Sequence, residues 1–416
     1  MSVPAAPPAT TESVGTAPGP VDYPCDRYRF AELLTPAERL VLGRLRRVLD
    51  TRVRPLLADY WERGEFPYQI LPPLIELNLM RPDEITSTGV EPSGLYHGFR
   101  NFELGRTDAS VVTMYNAQSG LFRTAVNRGG SPQQAAELDP RIQAFDFTGV
   151  FALTEPDHGS DIARGLATRA RRDGDEWVLN GSKRWIGGAF RADVILVFAV
   201  QDGADTADGR PAVRAFLVPR ETPGLELRKI GGKTALRMMQ NADIALTGVR
   251  VPESARLQNV NTFADVADML RAMRSDVAWI ATGVTAGAYE AAVRYTTART
   301  QFGRPIAGYQ LIQEKLARML ANLTASLGVV VRLTQLQEQG IYRDEDSALA
   351  KMLTGLNMRE TVALAREVCG GNGITLETDV ARFHADAEAV YSYEGTHEIN
   401  ALILGRAITG LGAFVG

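Results

Sequence analysis

Cysteine is nearly absent: Cys25 and Cys369 are the only two in 416 residues, so a disulfide framework is not expected and a reducing compartment is the natural setting. Histidine is almost as sparse, and His97, His158, His384 and His397 show no metal-ligand spacing. No apolar run approaches the ~18 residues that span a bilayer. The N-terminus lacks the basic and apolar segments of a signal peptide, and Phe414-Val415-Gly416 is not a peroxisomal address. The expectation is a cytoplasmic protein with no membrane partner. Blocks of positive charge are missing too. With 45 Lys and Arg against 49 Asp and Glu, the formal net charge is −4, which argues against nucleic acid as a partner. No Gly-x-Gly-x-x-Gly follows a strand and opens a helix, so a Rossmann nucleotide site is not supported.

What is present is 45% hydrophobic residues over a length that supports two or three packed domains. Residues 1–28 are rich in Pro, Ala, Thr, Ser and Gly and read as a disordered tail. Order is expected from Thr35-Pro36-Ala37-Glu38, a capping box with proline at the first helical position. Leu42, Leu45, Leu49, Val53 and Leu56 then follow at helical spacing. Nothing strand-like occurs before residue 149, so residues 29–148 read as an α-helical domain. Residues 149–257 are short apolar strands separated by turn pairs such as Asp173-Gly174 and Asn180-Gly181. No helix comes between them, which predicts a small antiparallel barrel or sandwich. Residues 258–416 return to long helical patterns: one through Val277, Ile280 and Val284, one through Ile312, Leu316 and Leu320, one over 346–369, and one after Thr396. Four such helices make a bundle. The class is α+β.

Five stretches carry candidate chemistry. In Tyr391-Ser392-Tyr393-Glu394-Gly395-Thr396-His397-Glu398-Ile399-Asn400, a carboxylate lies between a tyrosine and a glycine, ahead of a helix that Thr396 can cap. An arbitrary glutamate before a helix is most often solvated. Beside aromatic and apolar neighbours it can lose hydration and become a stronger base. Thr154-Glu155-Pro156-Asp157-His158-Gly159-Ser160-Asp161 leaves the first strand as a polar turn. Lys183-Arg184-Trp185-Ile186 puts an indole in a strand block, where core packing is the ordinary fate. Arg299-Thr300-Gln301-Phe302-Gly303, with Gln310 downstream, presents a guanidinium whose fork suits phosphate oxygens. Gly370-Gly371-Asn372-Gly373 follows a helix and serves either as a C-cap or as a close backbone approach to a ligand.

In this order, and over residues 30–414, these stretches resemble the acyl-CoA dehydrogenase family. The resemblance implies an N-terminal helical domain, a central antiparallel β domain and a C-terminal four-helix bundle, assembled as a homotetramer or a dimer. It implies FAD as cofactor. Carried over by position, Phe151, Leu153 and Thr154 would face the flavin pyrimidine edge and Ser160 the pyrophosphate. Trp185 would pack on the ring, with Gly187 near N5. Arg299 would reach the FAD pyrophosphate of a neighbouring subunit. Phe302, Gln310, Glu367, Gly371, Thr396 and Glu398 would complete the cofactor contacts, Glu367 standing where a glutamine is common. Arg274 matches an arginine near the CoA moiety, and Tyr115, Asn116 and Gly395 would line the substrate. The implied reaction is α,β-dehydrogenation of a short- or medium-chain acyl-CoA. Glu394 would take the α-proton and flavin N5 the β-hydride, with an electron-transfer flavoprotein as acceptor.

Two departures stand out. Gly187 replaces a threonine found near N5 in many relatives. With Trp185-Ile186-Gly187 and Leu236-Arg237-Met238-Met239-Gln240-Asn241 it resembles the short-chain acyl-CoA oxidase branch, for which the acceptor would be O2. The segment after Thr396 is similar to glutaryl-CoA dehydrogenase. Val112, however, stands where that enzyme has an arginine for the distal carboxylate, and Asn116 replaces a nearby serine. A dicarboxylate would be poorly compensated there, so turnover of glutaryl-CoA is not expected. An inactive scaffold of the same fold is the alternative from another class, and Glu394 and the Arg299 motif oppose it.

Overall fold

Thr35 opens the first long helix as its capping box predicts. Its Oγ1 accepts from the Glu38 backbone N–H at 3.3 Å while the Glu38 carboxylate accepts from the Thr35 N–H at 2.8 Å. The computed structural model describes residues 23–207, 209–341 and 343–413. Most of the expected tail, residues 1–22, lies outside the described residues. Tyr23 and Cys25, which that expectation also included, are instead buried in the core, with the Tyr23 ring 5.3 Å from Phe99. Their aromatic and thiol side chains supply apolar area that the Pro- and Ala-rich stretch before them lacks.

The first domain holds α1 (Pro36–Val48), α2 (Gly94–Thr107), α3 (Ala109–Asn116) and α4 (Pro132–Gln143), joined by shorter helical turns. The β domain is one seven-stranded sheet of β1 (Gly149–Ala152), β2 (Arg169–Asp173), β3 (Glu176–Gly187), β4 (Val194–Asp205), β5 (Pro211–Pro219), β6 (Leu225–Lys229) and β7 (Asn241–Pro252). Most neighbours are antiparallel, but β4 pairs in parallel with both β1 and β2, a mixture that strand texture alone does not reveal. Asn180-Gly181 is not a turn between strands. It is a bulge within β3, where the register with β7 shifts between Leu179 and Gly181. A Cβ on Gly181 would stand 2.6 Å from Thr168 Oγ1, so glycine is required by close packing as well as by its φ of 150°.

The last domain contains α5 (Phe263–Ala298), α6 (Gln310–Glu338), α7 (Asp344–Val368), α8 (Val380–Ser392) and α9 (His397–Thr409). The four expected helices are present, and α8 is an additional one. Its Val380, Phe383, Ala387 and Val390 are buried at helical spacing, a pattern short enough to pass as a connection. α5 is the central strut. Glycines let α2 lie on it almost backbone to backbone: a Cβ on Gly283 would come 2.4 Å from the Phe102 carbonyl, and one on Gly105 2.9 Å from the Ile280 carbonyl. That approach offsets the ~1 kcal/mol that an interior glycine costs a helix. Among the described residues α6 alone is long and apolar enough to cross a membrane, at a mean hydropathy of 1.4. Its Leu323, Leu327 and Val330 are buried in the bundle.

Candidate active site

Helix α8 ends at Ser392 and delivers the chain into a tight turn before Thr396 caps α9, accepting from the Ile399 N–H at 3.3 Å. Two consecutive left-handed residues make that turn, Glu394 at φ 51° and Gly395 at φ 94°. A left-handed conformation costs a side-chain-bearing residue about 1–2 kcal/mol and persists only where its surroundings fix it. Here they do. Asn400 Nδ2 donates to the carbonyls of Gly395 and Thr396 at 3.0 and 2.9 Å. The buried Lys351 on α7 donates from Nζ to the carbonyls of Tyr393 and Gly395. Glu394 as a residue is only half-buried, but its Oε2 is shut off from water and has no hydrogen-bond partner among the described residues. Burial raises its pKa to about 7, with Lys351 pulling it down and Asp276 pushing it up. Lys351 in turn is lowered to about 7 by burial, against the pull of Glu394. A desolvated carboxylate poised near neutrality can accept a proton from a weak carbon acid.

The helical wall beside Glu394 comes from α3 and α5. α3 begins at Asp108, whose Oδ1 accepts from the N–H groups of Ser110 and Val111. Its other oxygen bonds Arg382 of α8, both side chains being buried. One ion pair therefore fixes α3 and the helix that delivers Glu394. Tyr115 and Asn116 are buried, yet Tyr115 Oη and both amide atoms of Asn116 lack partners. Val112 is fully buried, so no charge replaces the missing arginine at that position. Arg100 of α2 lies over the Tyr115 ring, 5.3 Å from its centre. On α5, Arg274 bonds Asp344 and its charge acts on Lys351. Asp276 is raised to about 6 by burial, with Arg100 opposing the shift. Lys351, Asp276, Arg100 and the Asp108–Arg382 pair were not singled out from sequence. Arg100 has local partners in His97 and Asn101, and the others are polar residues in helical runs whose neighbours in the site lie far along the chain.

The β domain supplies a wall of different character. Glu155, in the loop after β1, accepts from the backbone N–H groups of Ala167 and Thr168 at 2.7 and 2.9 Å and from Thr168 Oγ1 at 2.6 Å. The fully buried Lys183 Nζ adds a fourth donor at 2.8 Å and also reaches the Leu153 carbonyl at 3.1 Å. Thr154 is half-buried at the rim and Ser160 is exposed beyond it. Leu153 and Phe151 pack in the core, Phe151 4.7 Å from Phe198. Trp185 is no core indole: it is 50% exposed at φ 68°, its carbonyl accepting from Asn241 Nδ2 at 3.1 Å. At Gly187 a Cβ would meet Met239 Cε at 2.2 Å, so the methionine occupies the space a larger residue would need.

The remaining predicted cofactor residues gather elsewhere. Arg299 caps the far end of α5. The 25 residues from Arg274 put it ~37 Å along the helix axis at the usual ~1.5 Å rise per residue. Around it Phe302 is 94% exposed, Gln310 starts α6, Gly371 faces open space, and Glu367 pairs loosely with Lys315 at 3.4 Å. Thr396 and Glu398 lie instead at the start of α9, beside Glu394. One chain thus brings Glu394, Gly395, Arg274, Tyr115, Asn116, Thr396 and Glu398 together, and leaves Arg299, Phe302, Gln310, Glu367 and Gly371 at a distant surface.

The acyl-CoA dehydrogenase N-terminal, middle and C-terminal domains match residues 35–146, 150–249 and 263–409. The chain belongs to the acyl-CoA dehydrogenase family. It is 31% identical over 354 residues to the bovine mitochondrial short-chain specific acyl-CoA dehydrogenase, covering 84% of each chain. Its fold is similar to that of the Mycobacterium smegmatis glutaryl-CoA dehydrogenase in complex with FADH2, with 32% identity, a TM-score of 0.85 and coverage of 95% and 100% of the two chains. It is also similar to butyryl-CoA dehydrogenase from Megasphaera elsdenii, with 26% identity, a TM-score of 0.83 and coverage of 90% and 98%.

As an acyl-CoA dehydrogenase family member the protein is a flavin-dependent oxidoreductase acting on CH–CH bonds, with FAD as cofactor. Its own residues fit that cofactor. The half-exposed Trp185 offers an aromatic face on a left-handed backbone, and Ser160 is exposed in the loop after β1. At the distant surface the exposed Arg299 and the open approach to Gly371 suit phosphate and an adenosine group. Among the described residues no cluster of His, Cys, Asp and Glu could hold a metal ion.

Proposed function

We propose that the protein oxidises a short- or medium-chain acyl-CoA thioester to its trans-2-enoyl form, with Glu394 as the base. The observation that carries this reading is the Glu394 turn: a carboxylate held left-handed by Lys351 and Asn400, with Oε2 buried and unpaired and its pKa raised to about 7. Glu394 takes the α-proton, and its backbone N–H polarises the thioester carbonyl. FAD, when bound, would supply the acceptor for the hydride lost from the β-carbon. Trp185 and the loop held by Glu155 bind and orient that cofactor, and Arg274 lies on the CoA side of the base. The second set of cofactor residues, led by Arg299, serves the site of a neighbouring copy, because ~37 Å of helix separates it from Arg274, whose charge acts on Lys351 beside the base of its own chain. The working unit in this reading is a homo-oligomer, and an electron-transfer flavoprotein removes the electrons.

A second reading, oxidation with O2 as acceptor, draws on the contact between Gly187 and Met239, whose methyl end occupies the space that a hydroxyl-bearing side chain would take. Anaerobic mixing with acyl-CoA followed by admission of air separates the two, since rapid reoxidation by air marks an oxidase. The base assignment is tested by Glu394→Gln. The variant is expected to keep its flavin absorbance and lose turnover by several orders of magnitude; near-normal turnover would overturn the assignment.

A further inference from the structure

A pocket for plain hydrocarbon is walled by apolar side chains, and the wall beside Glu394 is not. Asn116 is 1% exposed with neither amide atom partnered, and Tyr115 Oη and Ser119 Oγ are buried and unpartnered beside it. Asp276 makes no hydrogen bond among the described residues. Its Oδ2 and the Oδ1 of Asn116 converge from two helices on one point, 2.7 and 2.1 Å from where a Cβ on Gly120 would stand. A side chain at position 120 would collide with both oxygens, so only a glycine lets them come together there. Asp276 also lines a cavity of about 300 Å³ between α2, α5 and α6, with His97, Trp279, Thr334 and Gln337, and its charge acts on Glu394. Asp276 thus belongs both to this cavity and to the unpartnered group around Asn116.

The charges there select among guests. Saturated hydrocarbon would take water from Asp276 and Asn116 and return no hydrogen bond. A distal carboxylate would face Asp276, while Arg100 is already turned to His97 Nδ1 at 3.1 Å and Asn101 Oδ1 at 3.1 and 3.3 Å. An ammonium group would suit Asp276 but could accept nothing from the Asn116 amide N–H. A neutral group that both donates and accepts satisfies the aspartate and either orientation of the amide.

We propose that the substrate's acyl chain carries a hydroxyl beyond its β-carbon, held between Asp276 and Asn116. The inference rests on the acyl-CoA reading above. The hydroxyl lies past the β-carbon because that carbon gives up the hydride, and it emerges from the reaction unchanged.

The test uses the FAD-loaded enzyme and matched thioesters: butyryl- against 4-hydroxybutyryl-CoA, and pentanoyl- against 5-hydroxypentanoyl-CoA. Anaerobic flavin bleaching is expected to give kcat/KM roughly tenfold to a hundredfold higher for the hydroxylated member of at least one pair, the worth of one hydrogen bond to a charged group. Asp276→Val should abolish or invert that ratio, and Asp276→Asn should keep part of it. Binding of the unreactive hydroxyalkyl- and alkyl-CoA thioethers, followed by calorimetry, reads the same preference without turnover. Equal kcat/KM and equal thioether affinity within both pairs would overturn the proposal while leaving the dehydrogenase reading intact. Failure of every thioester to bleach the flavin would sink that reading instead, and the thioether arm would still decide the pocket.

Discussion

The two walls of the cleft treat buried polarity in opposite ways. On the β wall, Glu155 accepts four hydrogen bonds and Lys183 is held by a carboxylate and a carbonyl. In the whole β domain only Gln201 Oε1 is buried without a partner among the described residues. On the helical wall, Tyr115, Asn116, Ser119, Tyr393 and Glu394 all keep unpartnered buried atoms. Satisfied networks rigidify, and unsatisfied buried groups cost about 1–3 kcal/mol each. The difference separates a wall built to hold a cofactor in one pose from a wall kept ready for a substrate that arrives and leaves.

The largest expected effect comes from cutting the strut under the helical wall. Arg382→Leu strands Asp108, and breaking a buried pair costs about 3–5 kcal/mol. Because Asp108 also caps α3, the variant should unfold at lower denaturant and lose turnover in the fraction that stays folded. Glu155→Ala strands Lys183 on the opposite wall at similar cost, yet it should chiefly lower retained FAD, read as the flavin-to-protein absorbance ratio. If both variants lost FAD and turnover in the same proportion, the two walls would not be separable units.

How much of this was legible from sequence follows the same division. The turn around Glu394, the octet after β1 and the Arg299 motif are contiguous, so their residue types and spacing are readable along the chain. The Thr35 capping box is local in the same sense and forms as written. Trp185 was readable as an indole, but not its exposure, which depends on a left-handed backbone at a bulged strand end. Lys351 and Asp276 were opaque. Each reads as an ordinary charged residue on a long helix, and only the return of the chain at the Glu394 turn, more than 40 residues on, makes either one a neighbour of Glu394. Helix α8 is hidden in the sequence because it is only thirteen residues long and follows a glycine cluster.

Lys351 offers the next effect down. It holds the carbonyls on both sides of Glu394 and lowers the carboxyl pKa against the rise caused by burial. In the unaltered enzyme kcat/KM should therefore climb as pH rises through about 7, when Glu394 loses its proton. Lys351→Met removes the cation, so the carboxyl pKa moves further up and the climb shifts to higher pH. At pH 7 a loss of at least tenfold is expected, part of it recovered near pH 9. A loss with an unmoved pH profile would reduce Lys351 to a structural tie and bring the helical wall closer to the β wall in kind.

The smallest effect concerns Asp386, which sits where the two halves meet. Its carboxylate accepts from Trp61 Nε1 at 3.0 Å and from the backbone N–H of Leu236 at 2.8 Å, in the loop behind Gly187. Burial raises its pKa to about 7, with Asp108 pushing the same way, against roughly 3.9 in an unfolded chain. The folded protein thus binds an extra proton between those values. The stability this contributes is fully present below about pH 4 and is lost as pH rises through about 7. Asp386→Asn keeps an acceptor for Trp61 and Leu236 but carries no charge, so it should flatten that loss. Above pH 7 the variant should be the more stable of the two, because only the unaltered protein must ionise a buried carboxyl there. Denaturant melts at pH 5 and pH 8 measure it. An equal pH dependence in both proteins would mean that Asp386 stays ionised when folded, and that the junction behaves like the satisfied β wall.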